Sequence, residues 1–594
     1  MKDFKMLLKY FRGYTTQYVF AIIFTAFSIV FSRLVPVIVK FTIDNVIGGK
    51  VPNSGFWLYV YNLFGGKNYL EENLWVIGIV LLIFSFLNGL FSFLREKLAG
   101  QTSESIVKNL RDDLYNVILK AKYDFYSNFQ SGDVIQRCTS DVETVRRFLY
   151  VDAISVWRIV FMIIFVLYVM INLNLKMTII SSAVIPLLTG TAFWFFLMVK
   201  KHFEKVDEAE ASVTAAVQEN ITGVRVVKAF TREGYEIQKF IKKNSEYREL
   251  DLKLLALFAK FWTISDFLAL TQFALVVVLG SYYAIREEIT IGTLVAFTTY
   301  VGMLLWPVRE LGIILSNFGK VRVSLKRINE ILSYELEDLF CDSEFELKGD
   351  IEFKDVWFGY NPERPVLKGV SFEIRKGETV AFFGGTGSGK STIISLLMRL
   401  YEPNSGKIMI DGKEISLIPK VVLRRNIGLV PQEAFLFSET VKENISVTNP
   451  EASHEEIVSS AVSAAVHDDI MQLEKGYDTL VGEKGVTLSG GQRQRITIAR
   501  TFLREYPILI FDDSMSAVDT DTEKQIIQAI KQRSKNATTI IVSHRISSIK
   551  EADKIIVLEN GIITNIGRHE ELVNQPGLYQ KVWKIESLLK NFKE

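Results

Sequence analysis

The chain has 594 residues, of which 49% are hydrophobic and 23% are charged, as in many ordinary globular proteins. Its 69 basic and 67 acidic residues leave a net charge of +2, so charge gives no reason to expect nucleic acid as a partner. Two cysteines exclude a disulfide scaffold, and five scattered histidines argue against a zinc cluster. The mean hydropathy of +0.20 is nevertheless positive, which indicates that the apolar residues are concentrated in one part of the chain.

Six long apolar stretches occupy the first 320 residues, and none of comparable length follows. They run over residues 18–39, 74–94, 156–173, 177–199, 254–285 and 291–318. Each is close to or above the roughly 20 residues that cross a bilayer as a helix, whereas buried helices of a soluble core are shorter. The sequence therefore predicts an all-α membrane domain with six transmembrane helices over residues 1–320.

The basic residues predict how this domain is oriented. Residues 95–149 hold nine Lys and Arg and residues 200–253 hold eleven, whereas the connections on the opposite side hold three or fewer. The positive-inside rule then places both termini and these two long loops in the cytoplasm, in a multi-pass protein of the cytoplasmic membrane. Residues 1–13 mix basic and large apolar side chains, which is typical of an interfacial amphipathic helix but also of a basic flank to the first span.

The second half of the chain has a different pattern. Residues 321–344 form a charged, partly helical connection that ends in an acidic stretch. From residue 345 onward, short β-rich runs such as 379–383, 508–511 and 539–542 alternate with helical ones. This alternation predicts an α/β domain with a largely parallel sheet over residues 345–594.

A phosphate-binding loop follows one of these β-rich runs. The run 379–383 leads into the sequence GGTGSGKS and then into a predicted helix, which is the strand–loop–helix context that a P-loop requires. Backbone N–H groups of such a loop and the helix N-terminus bind phosphate, while the lysine reaches the β- and γ-phosphates. The residues expected at the nucleotide are Gly384, Gly385, Thr386, Gly387, Ser388, Gly389, Lys390, Ser391 and Thr392.

Two side chains are the first candidates for a Mg²⁺ site. Ser391 has the position of the P-loop hydroxyl that ligates the ion. Asp512 ends the apolar run 508–511, and an acidic residue at the end of a buried strand is where a P-loop enzyme holds its Mg²⁺.

Between these motifs, residues 488–492 read LSGGQ. With this signature the chain resembles an ABC transporter, specifically an exporter-type half-transporter with six spans and one nucleotide-binding domain. The resemblance implies ATP and Mg²⁺ as cofactors and a further set of site residues. Tyr360 would stack on adenine, Gln432 would sense Mg²⁺ and the attacking water, and His544 would contact the γ-phosphate. Residues 516–519 match the D-loop of the family, and residues 479–485 resemble its X-loop.

The family's ATP sites are composite, so the resemblance implies a dimer. The phosphate loop of one domain faces the signature of the other. Ser489, Gly491 and Gln492 would then contact a nucleotide that the partner subunit mainly holds.

Asp513 departs from the family pattern, which usually has a general-base glutamate after the Mg²⁺ aspartate. Aspartate is one methylene shorter, and a carboxylate displaced by about 1–1.5 Å can cost roughly 100-fold in rate. The departure favours a heterodimer in which the site on this chain hydrolyses ATP slowly. The alternative is that Asp513 works adequately through a small backbone shift or a second water, and a homodimer then remains the less favoured arrangement.

The function that this resemblance implies is ATP-driven export of amphipathic compounds, drugs or lipids, across the cytoplasmic membrane by alternating access. An ATP-gated regulatory or channel-like protein and a peptide exporter are the alternatives. Residues 124–132 and 230–235 are candidates for short helices that couple the two domains. Several charged residues within the apolar stretches either line a substrate cavity or lie outside the lipid, among them Arg33, Arg158, Asp266, Arg309 and Glu310.

Overall fold

The computed structural model describes residues 2–591 apart from 53–54, 64–65, 339–345, 362, 483–484, 516–519 and 535–536. The chain divides into two compact units. The first comprises Met1–Lys120 and Phe129–Tyr334, and the second comprises Ala121–Asn128 and Glu335–Glu594. The short segment Ala121–Asn128 thus belongs to the second unit although both of its flanks belong to the first. The domain limits at residues 320 and 345 stay sequence predictions.

The regular elements described in the first unit are all helical. The α-helices are α1 (Lys2–Tyr10), α2 (Thr15–Phe41), α3 (Gly55–Leu63), α4 (Gly66–Glu72), α5 (Trp75–Lys120), α7 (Ser131–Gln136), α8 (Val142–Arg147), α9 (Ala153–Leu173), α10 (Leu175–Ser182), α11 (Ile185–Thr222), α12 (Val224–Ala229), α13 (Glu233–Ile285) and α14 (Ile291–Leu332), while α6 (Asp124–Asn128) lies in the second unit. Three π-helical turns, Thr42–Ile47, Arg137–Asp141 and Phe148–Asp152, continue or interrupt these helices.

Five helical stretches are long and apolar enough to cross a membrane. They are Thr15–Ile47, Trp75–Lys120, Ser131–Leu173, Leu175–Thr222 and Glu233–Ile285. The sixth predicted span lies in α14, a single helix of 42 residues whose apolar part among the described residues is Ile291–Leu304. The prediction of an all-α membrane domain is therefore confirmed. Helix α13 alone has 53 residues, far more than the roughly 20 that span a bilayer.

Large apolar side chains of three long helices form the main core of the first unit. Met162 and Val166 of α9 pack with Val276 of α13 and with Phe297 and Tyr300 of α14, and all five are almost fully buried. Close van der Waals packing of this kind stabilises helix association in a membrane, where lipid tails are as apolar as the side chains.

An aspartate joins the end of α2 to the start of α14. Asp44, in the π-helical turn after α2, accepts hydrogen bonds from the backbone N–H of Gly292 (2.9 Å) and the hydroxyl of Thr290 (2.5 Å). It also pairs with Lys40 at 3.1 Å and is only 6% exposed. The carboxylate thus accepts from one of the N–H groups in the first turn of α14, which have no partner within the helix. A Cβ on Gly292 would lie 2.7 Å from this carboxylate, so a larger residue here would have to displace Asp44.

The structure pairs two of the charged residues that the apolar stretches contain. Arg158 of α9 donates to both carboxylate oxygens of Glu310 in α14 at 2.8 Å. Arg33 of α2 points an Nη atom at the sulfur of Met162, 3.4 Å away. Pairing lowers the cost of placing charge in an apolar bundle. The side chain of Arg309 lies outside the described residues.

The second unit contains two sheets and the remaining helices. The strands are β1 (Ile351–Phe358), β2 (Leu367–Ile374), β3 (Thr379–Phe383), β4 (Ser405–Ile410), β5 (Lys413–Glu414), β6 (Ile427–Val430), β7 (Ile508–Asp512), β8 (Thr538–Ser543), β9 (Lys554–Glu559) and β10 (Ile562–Gly567). The helices are α15 (Lys390–Leu397), α16 (Lys420–Arg425), α17 (Val441–Ser446), α18 (His454–Ser463), α19 (His467–Met471), α20 (Gly490–Phe502), α21 (Thr520–Ser534), α22 (Ile546–Ile549), α23 (His569–Leu572) and α24 (Leu578–Asn591).

The larger sheet has the strand order β10-β9-β3-β8-β7-β6, and every neighbouring pair except β10 with β9 is parallel. This confirms the predicted α/β fold with a largely parallel sheet. The smaller sheet, β2-β1-β4-β5, is antiparallel. In the parallel sheet Phe383 pairs with Ser543, and Asp512 pairs with Val542. The segments that follow β3, β7 and β8 therefore meet at one edge, where parallel sheets of this kind bind ligands.

Candidate nucleotide-binding site

The phosphate loop lies between β3 and α15 at this sheet edge. Gly387 (φ +80°) and Gly389 (φ +104°) adopt backbone conformations that favour glycine. A Cβ on Gly384 would lie 2.2 Å from the carbonyl oxygen of Leu558, whereas a Cβ on Gly385 or Gly387 would meet nothing within 4 Å. Gly385 and Gly387 therefore border open space at the N-terminus of α15. Such a loop, with N–H groups and a helix dipole directed at the space, is an anion-binding site.

Lys390, the first residue of α15, turns its ammonium back onto this loop. Its Nζ atom donates to the carbonyl oxygens of Gly384 (2.9 Å) and Gly385 (2.8 Å) and lies 3.4 Å from the hydroxyl of Ser388. Burial lowers the pKa of Lys390, although the carboxylates of Asp513 and Asp512 favour its charged form. Phosphate oxygens that enter the loop would replace these carbonyl oxygens as the hydrogen-bond acceptors of the Lys390 ammonium.

Ser391 and Asp512, the two side chains predicted to hold Mg²⁺, lie next to each other. The hydroxyl of Ser391 donates to Oδ1 of Asp512 at 3.3 Å. Burial raises the pKa of Asp512, and the neighbouring charge of Asp513 adds to this rise. A hydroxyl and a half-buried carboxylate are oxygen ligands that suit Mg²⁺, which commonly takes one or two protein ligands together with substrate phosphates. The donor set therefore fits the ion.

Asp513 has an unusual backbone conformation and a direct contact with His544. Its φ of +44° lies in the left-handed region, where aspartate is among the better tolerated residues. Its N–H donates to the carbonyl of Val542 at 2.9 Å, which holds the turn after β7 against β8. One carboxylate oxygen lies 3.1 Å from Nδ1 of His544. The two residues thus form a hydrogen-bonded pair at the mouth of the site.

A cleft of about 340 Å³ collects these groups on a single chain. Its lining includes the sequence-predicted residues Tyr360, Thr386, Gly387, Gly389, Lys390, Ser391, Thr392, Gln432, Asp512, Asp513 and His544. Tyr360 is 58% exposed, and its hydroxyl lies 3.4 Å from that of Thr392. The volume is within the range of about 300–1,000 Å³ typical of small-molecule sites.

The signature residues do not line this cleft. Ser489 caps α20: its hydroxyl accepts from the N–H of Gln492 (3.2 Å), and the Gln492 side chain accepts from the N–H of Ser489 (3.0 Å). The amide nitrogen of Gln492 also donates to Asp469 at 3.2 Å. This capping box satisfies two N–H groups at the start of the helix. The predicted contacts of Ser489, Gly491 and Gln492 with a partner's nucleotide stay predictions.

The sequence interpretation missed three residues around the cleft. Val366 and Val542 line it, and the ring of Tyr401 packs against Tyr360 with centroids 5.2 Å apart. The valines lie in or beside strands and carry no signal that separates them from core residues. Tyr401 lies outside every motif, and its role appears only from the tertiary contact. Residues 516–519, assigned to the D-loop, and residues 483–484 of the X-loop fall outside the described residues.

Comparison with known proteins gives consistent matches along the whole chain. Residues 18–308 match the ABC transporter transmembrane region, and residues 367–516 match the ABC transporter domain. A Staphylococcus aureus protein named as a multidrug export ATP-binding/permease protein is 37% identical over 593 residues, covering 98% of this chain and all of the relative. An uncharacterized ABC transporter ATP-binding protein of Bacillus subtilis is 34% identical over 99% of this chain and 98% of its own length.

A solved structure agrees with these relatives. A bacterial Atm1-family ABC exporter with ATP bound superimposes with a TM-score of 0.79 and 25% identity, over 97% of this chain and 98% of that one. The matches to these relatives and to this structure thus run over nearly the full length of both chains. The chain belongs to the ABC transporters.

Proposed function

We propose that the chain is an exporter half-transporter, which uses ATP to move amphipathic compounds, drugs or lipids, across the cytoplasmic membrane. The observation that carries this proposal is a complete phosphate-side ATP cleft on the same chain as a bundle of membrane-length helices. The names of the relatives support it, because the Staphylococcus aureus protein is named for multidrug export and the matching solved structure is an exporter. Both termini and the second unit would face the cytoplasm, where ATP is available.

Different residues of the cleft would bind the phosphates, the base and the Mg²⁺ ion of ATP. Lys390 and the N–H groups of the loop would hold the phosphates, and the exposed ring of Tyr360 would stack on the base. Ser391 and Asp512 would hold Mg²⁺, with Gln432 beside it, and the bound ion would neutralise charge on the phosphate oxygens.

Asp513 and His544 would orient the attacking water and accept its proton. The Asp513 carboxylate is shorter than the usual glutamate and is already engaged by His544 at 3.1 Å. A base withdrawn by about 1 Å from its best position can lower the rate roughly 100-fold. We therefore assign slow hydrolysis to this site.

The subunit arrangement follows from the two half-sites on the chain. The phosphate loop lines a cleft, but the capped signature helix does not line it, so each half needs a second subunit to be completed. A slow site on this chain favours a heterodimer, in which the intact signature of this chain completes the competent site of a partner. A homodimer is the alternative, since the relatives match over 98–100% of their own length and thus share this single-chain organisation.

Transport is tested with inside-out membrane vesicles that contain the chain alone or with a co-expressed partner. An exporter accumulates a fluorescent amphipathic dye when ATP is added, and the matched variant Lys390→Ala does not. ATP-dependent dye flow that only dissipates an existing gradient would instead show a gated channel. Normal ATP turnover by a dimer of this chain alone would contradict the slow site and the heterodimer.

A further inference from the structure

A tyrosine outside the motifs contacts both the base-stacking residue and α6. Tyr401 is half-buried and follows α15 by four residues. Its ring makes an edge-to-face contact with Tyr360 (5.2 Å between centroids, 86°) and a second with Tyr123 (5.5 Å, 84°). Edge-to-face geometry is one that aromatic pairs prefer. One ring therefore bridges the nucleotide cleft and the segment that leads into α6.

The hydroxyl of Tyr401 adds a polar contact to the same short helix. It lies 3.0 Å from the hydroxyl of Ser127, whereas Tyr123 immediately precedes the helix. Tyr401 thus contacts α6 near both of its ends. Phe125 of α6 is 1% exposed, so the helix is packed into the second unit and is not a loose loop.

Helix α6 is covalently joined to the membrane helices. Helix α5, one of the membrane-length helices, ends at Lys120, and α7 begins at Ser131. The chain therefore leaves the first unit, contributes α6 to the second and returns. A change in the position or mobility of α6 is passed along the backbone to both flanks.

The backbone around Tyr401 is held by ion pairs. Glu337, 8% exposed, accepts from Arg424 at 2.6 Å and from Lys420 at 3.0 Å. Arg424 also donates to the carbonyl oxygens of Met398 (3.3 Å) and Arg399 (3.4 Å), just before Tyr401. These bonds hold the backbone that precedes Tyr401. The position of the Tyr401 ring then depends on its contacts, one of which is with the Tyr360 ring.

We propose that Tyr401 is a positioning residue that transmits the stacking of a nucleotide base on Tyr360 to α6. The inference rests on the proposed ATP site. Tyr360 is 58% exposed, and a base stacked on it restricts a ring that is otherwise free on one side. Restricting Tyr360 orders Tyr401 and, through it, Tyr123 and Ser127. A ligand of phosphate alone leaves the Tyr360 ring exposed and does not produce this ordering.

Hydrogen exchange of α6 in the full-length protein in lipid nanodiscs tests this transmission. The two ligands, each with Mg²⁺ and at saturation, are ADP, which carries the base, and pyrophosphate, which does not. ADP should slow exchange at the amides of Phe125 and Tyr126 about fivefold more than pyrophosphate, the size expected from one aromatic contact. Calorimetry in parallel verifies that both ligands bind.

Two substitutions and one matched control assign the effect to the ring. Tyr401→Leu and, on the other side of the contact, Tyr123→Leu should each abolish the difference between ADP and pyrophosphate. Tyr401→Phe keeps both ring contacts and should keep most of it. Since coupling is reciprocal, Tyr123→Leu should also weaken the affinity for ADP a fewfold and leave that for pyrophosphate unchanged.

Equal protection of α6 by the two ligands in the natural chain, or an undiminished difference in both leucine variants, overturns the transmission. ADP binding without base-dependent protection leaves the ATP site intact and contradicts the transmission alone. Absence of ADP binding contradicts both. Dye export is measured separately. A failure to transport contradicts the exporter assignment and leaves the proposed transmission from the base to α6 unaffected.

Discussion

The second unit contains two helix N-termini that suit phosphate, and they differ in what surrounds them. Helix α15 opens into a cleft lined by a lysine, two aspartates, a glutamine and a histidine. Helix α20 is held by a capping box between Ser489 and Gln492, and its signature residues do not line that cleft. The first N-terminus has the groups proposed above to bind and cleave a nucleotide, whereas the second is a capped helix end outside that cleft. The difference supports the proposal that the chain holds two unlike halves of an ATP site, each of which would need a second subunit.

The largest expected effect comes from removing the cation of the first half. Lys390→Ala should lower ATP hydrolysis at this chain's own site by about 100- to 1,000-fold, because the phosphate charge loses its preorganised partner. Single-turnover hydrolysis at this site measures the change, because steady-state turnover of a heterodimer would come mainly from the partner's faster site. Lys390→Arg keeps the charge with a different geometry and should recover only part of the activity. An unchanged single-turnover rate in Lys390→Ala would contradict the proposed role of Lys390 at the phosphates.

The next effect tests whether this half is slow. Asp513→Glu should raise hydrolysis at this site by up to about 100-fold, because the longer carboxylate reaches further toward the attacking water. Single-turnover hydrolysis measures the rate, and Asp513→Asn, which removes the base, is the matched control. Two results together would contradict the slow site: Asp513→Asn lowers the single-turnover rate as strongly as Lys390→Ala, and Asp513→Glu does not raise it. They would show that aspartate already works as a fully effective base.

A smaller effect concerns the support behind α15. Glu337→Gln should destabilise the second unit by about 2–3 kcal/mol, because Lys420 and Arg424 lose a nearly buried carboxylate. Burial alone would raise the pKa of Glu337, but the hydrogen bonds from Arg424 and Lys420 outweigh it and lower that pKa. A carboxyl group whose pKa is lowered by folding stabilises the folded state at pH values above its ordinary pKa of about 4.3. This stabilisation is lost as the pH falls through the folded-state pKa.

Thermal unfolding of both proteins as a function of pH measures this contribution. The natural chain should lose part of its advantage over Glu337→Gln as the pH falls below about 4.3. A stability difference that is independent of pH in this range would contradict the assignment to the ion pairs.

The smallest effect separates the cap of α20 from its proposed contact with a partner's nucleotide. Ser489→Ala should cost about 1 kcal/mol of stability through the lost cap, and Ser489→Thr should retain most of it. Both variants should leave ATP affinity at the cleft of this chain unchanged. If Ser489 serves a partner's site, Ser489→Ala lowers hydrolysis there beyond what the stability loss explains. An effect on the affinity of this chain's own cleft would contradict the division into two halves.

The sequence predicts the phosphate side of the site well because its motifs are local. The loop from Gly384 to Gly389 follows a strand and precedes a helix, as predicted, and Asp512 ends β7. The contacts of Ser391 with Asp512 and of Asp513 with His544 then follow from the parallel register of β3, β7 and β8. Local motifs together with the known geometry of parallel strands are enough to bring these residues together.

Contacts that join distant segments could not be predicted in the same way. Ser127 and Tyr401 lie 274 positions apart, and neither belongs to a periodic pattern that indicates the other. Helix α14 is a different case, since it runs to Leu332 through residues whose charge suggested a linker. Val321, Leu325, Ile328 and Ile331 are buried at helical spacing. Their periodicity was the available signal, but the charges between them obscured it.

The bond between Asp44 and the start of α14 has a mechanical consequence for any transport cycle. Separating the ends of α2 and α14 would break two hydrogen bonds to one carboxylate that is 6% exposed and pairs with Lys40. Hydrogen bonds to charged groups are worth about 1.5–3 kcal/mol each, so separation would cost several kcal/mol. A conformational change that moves these two helix ends apart therefore has to offset that cost, whereas one that moves them together does not.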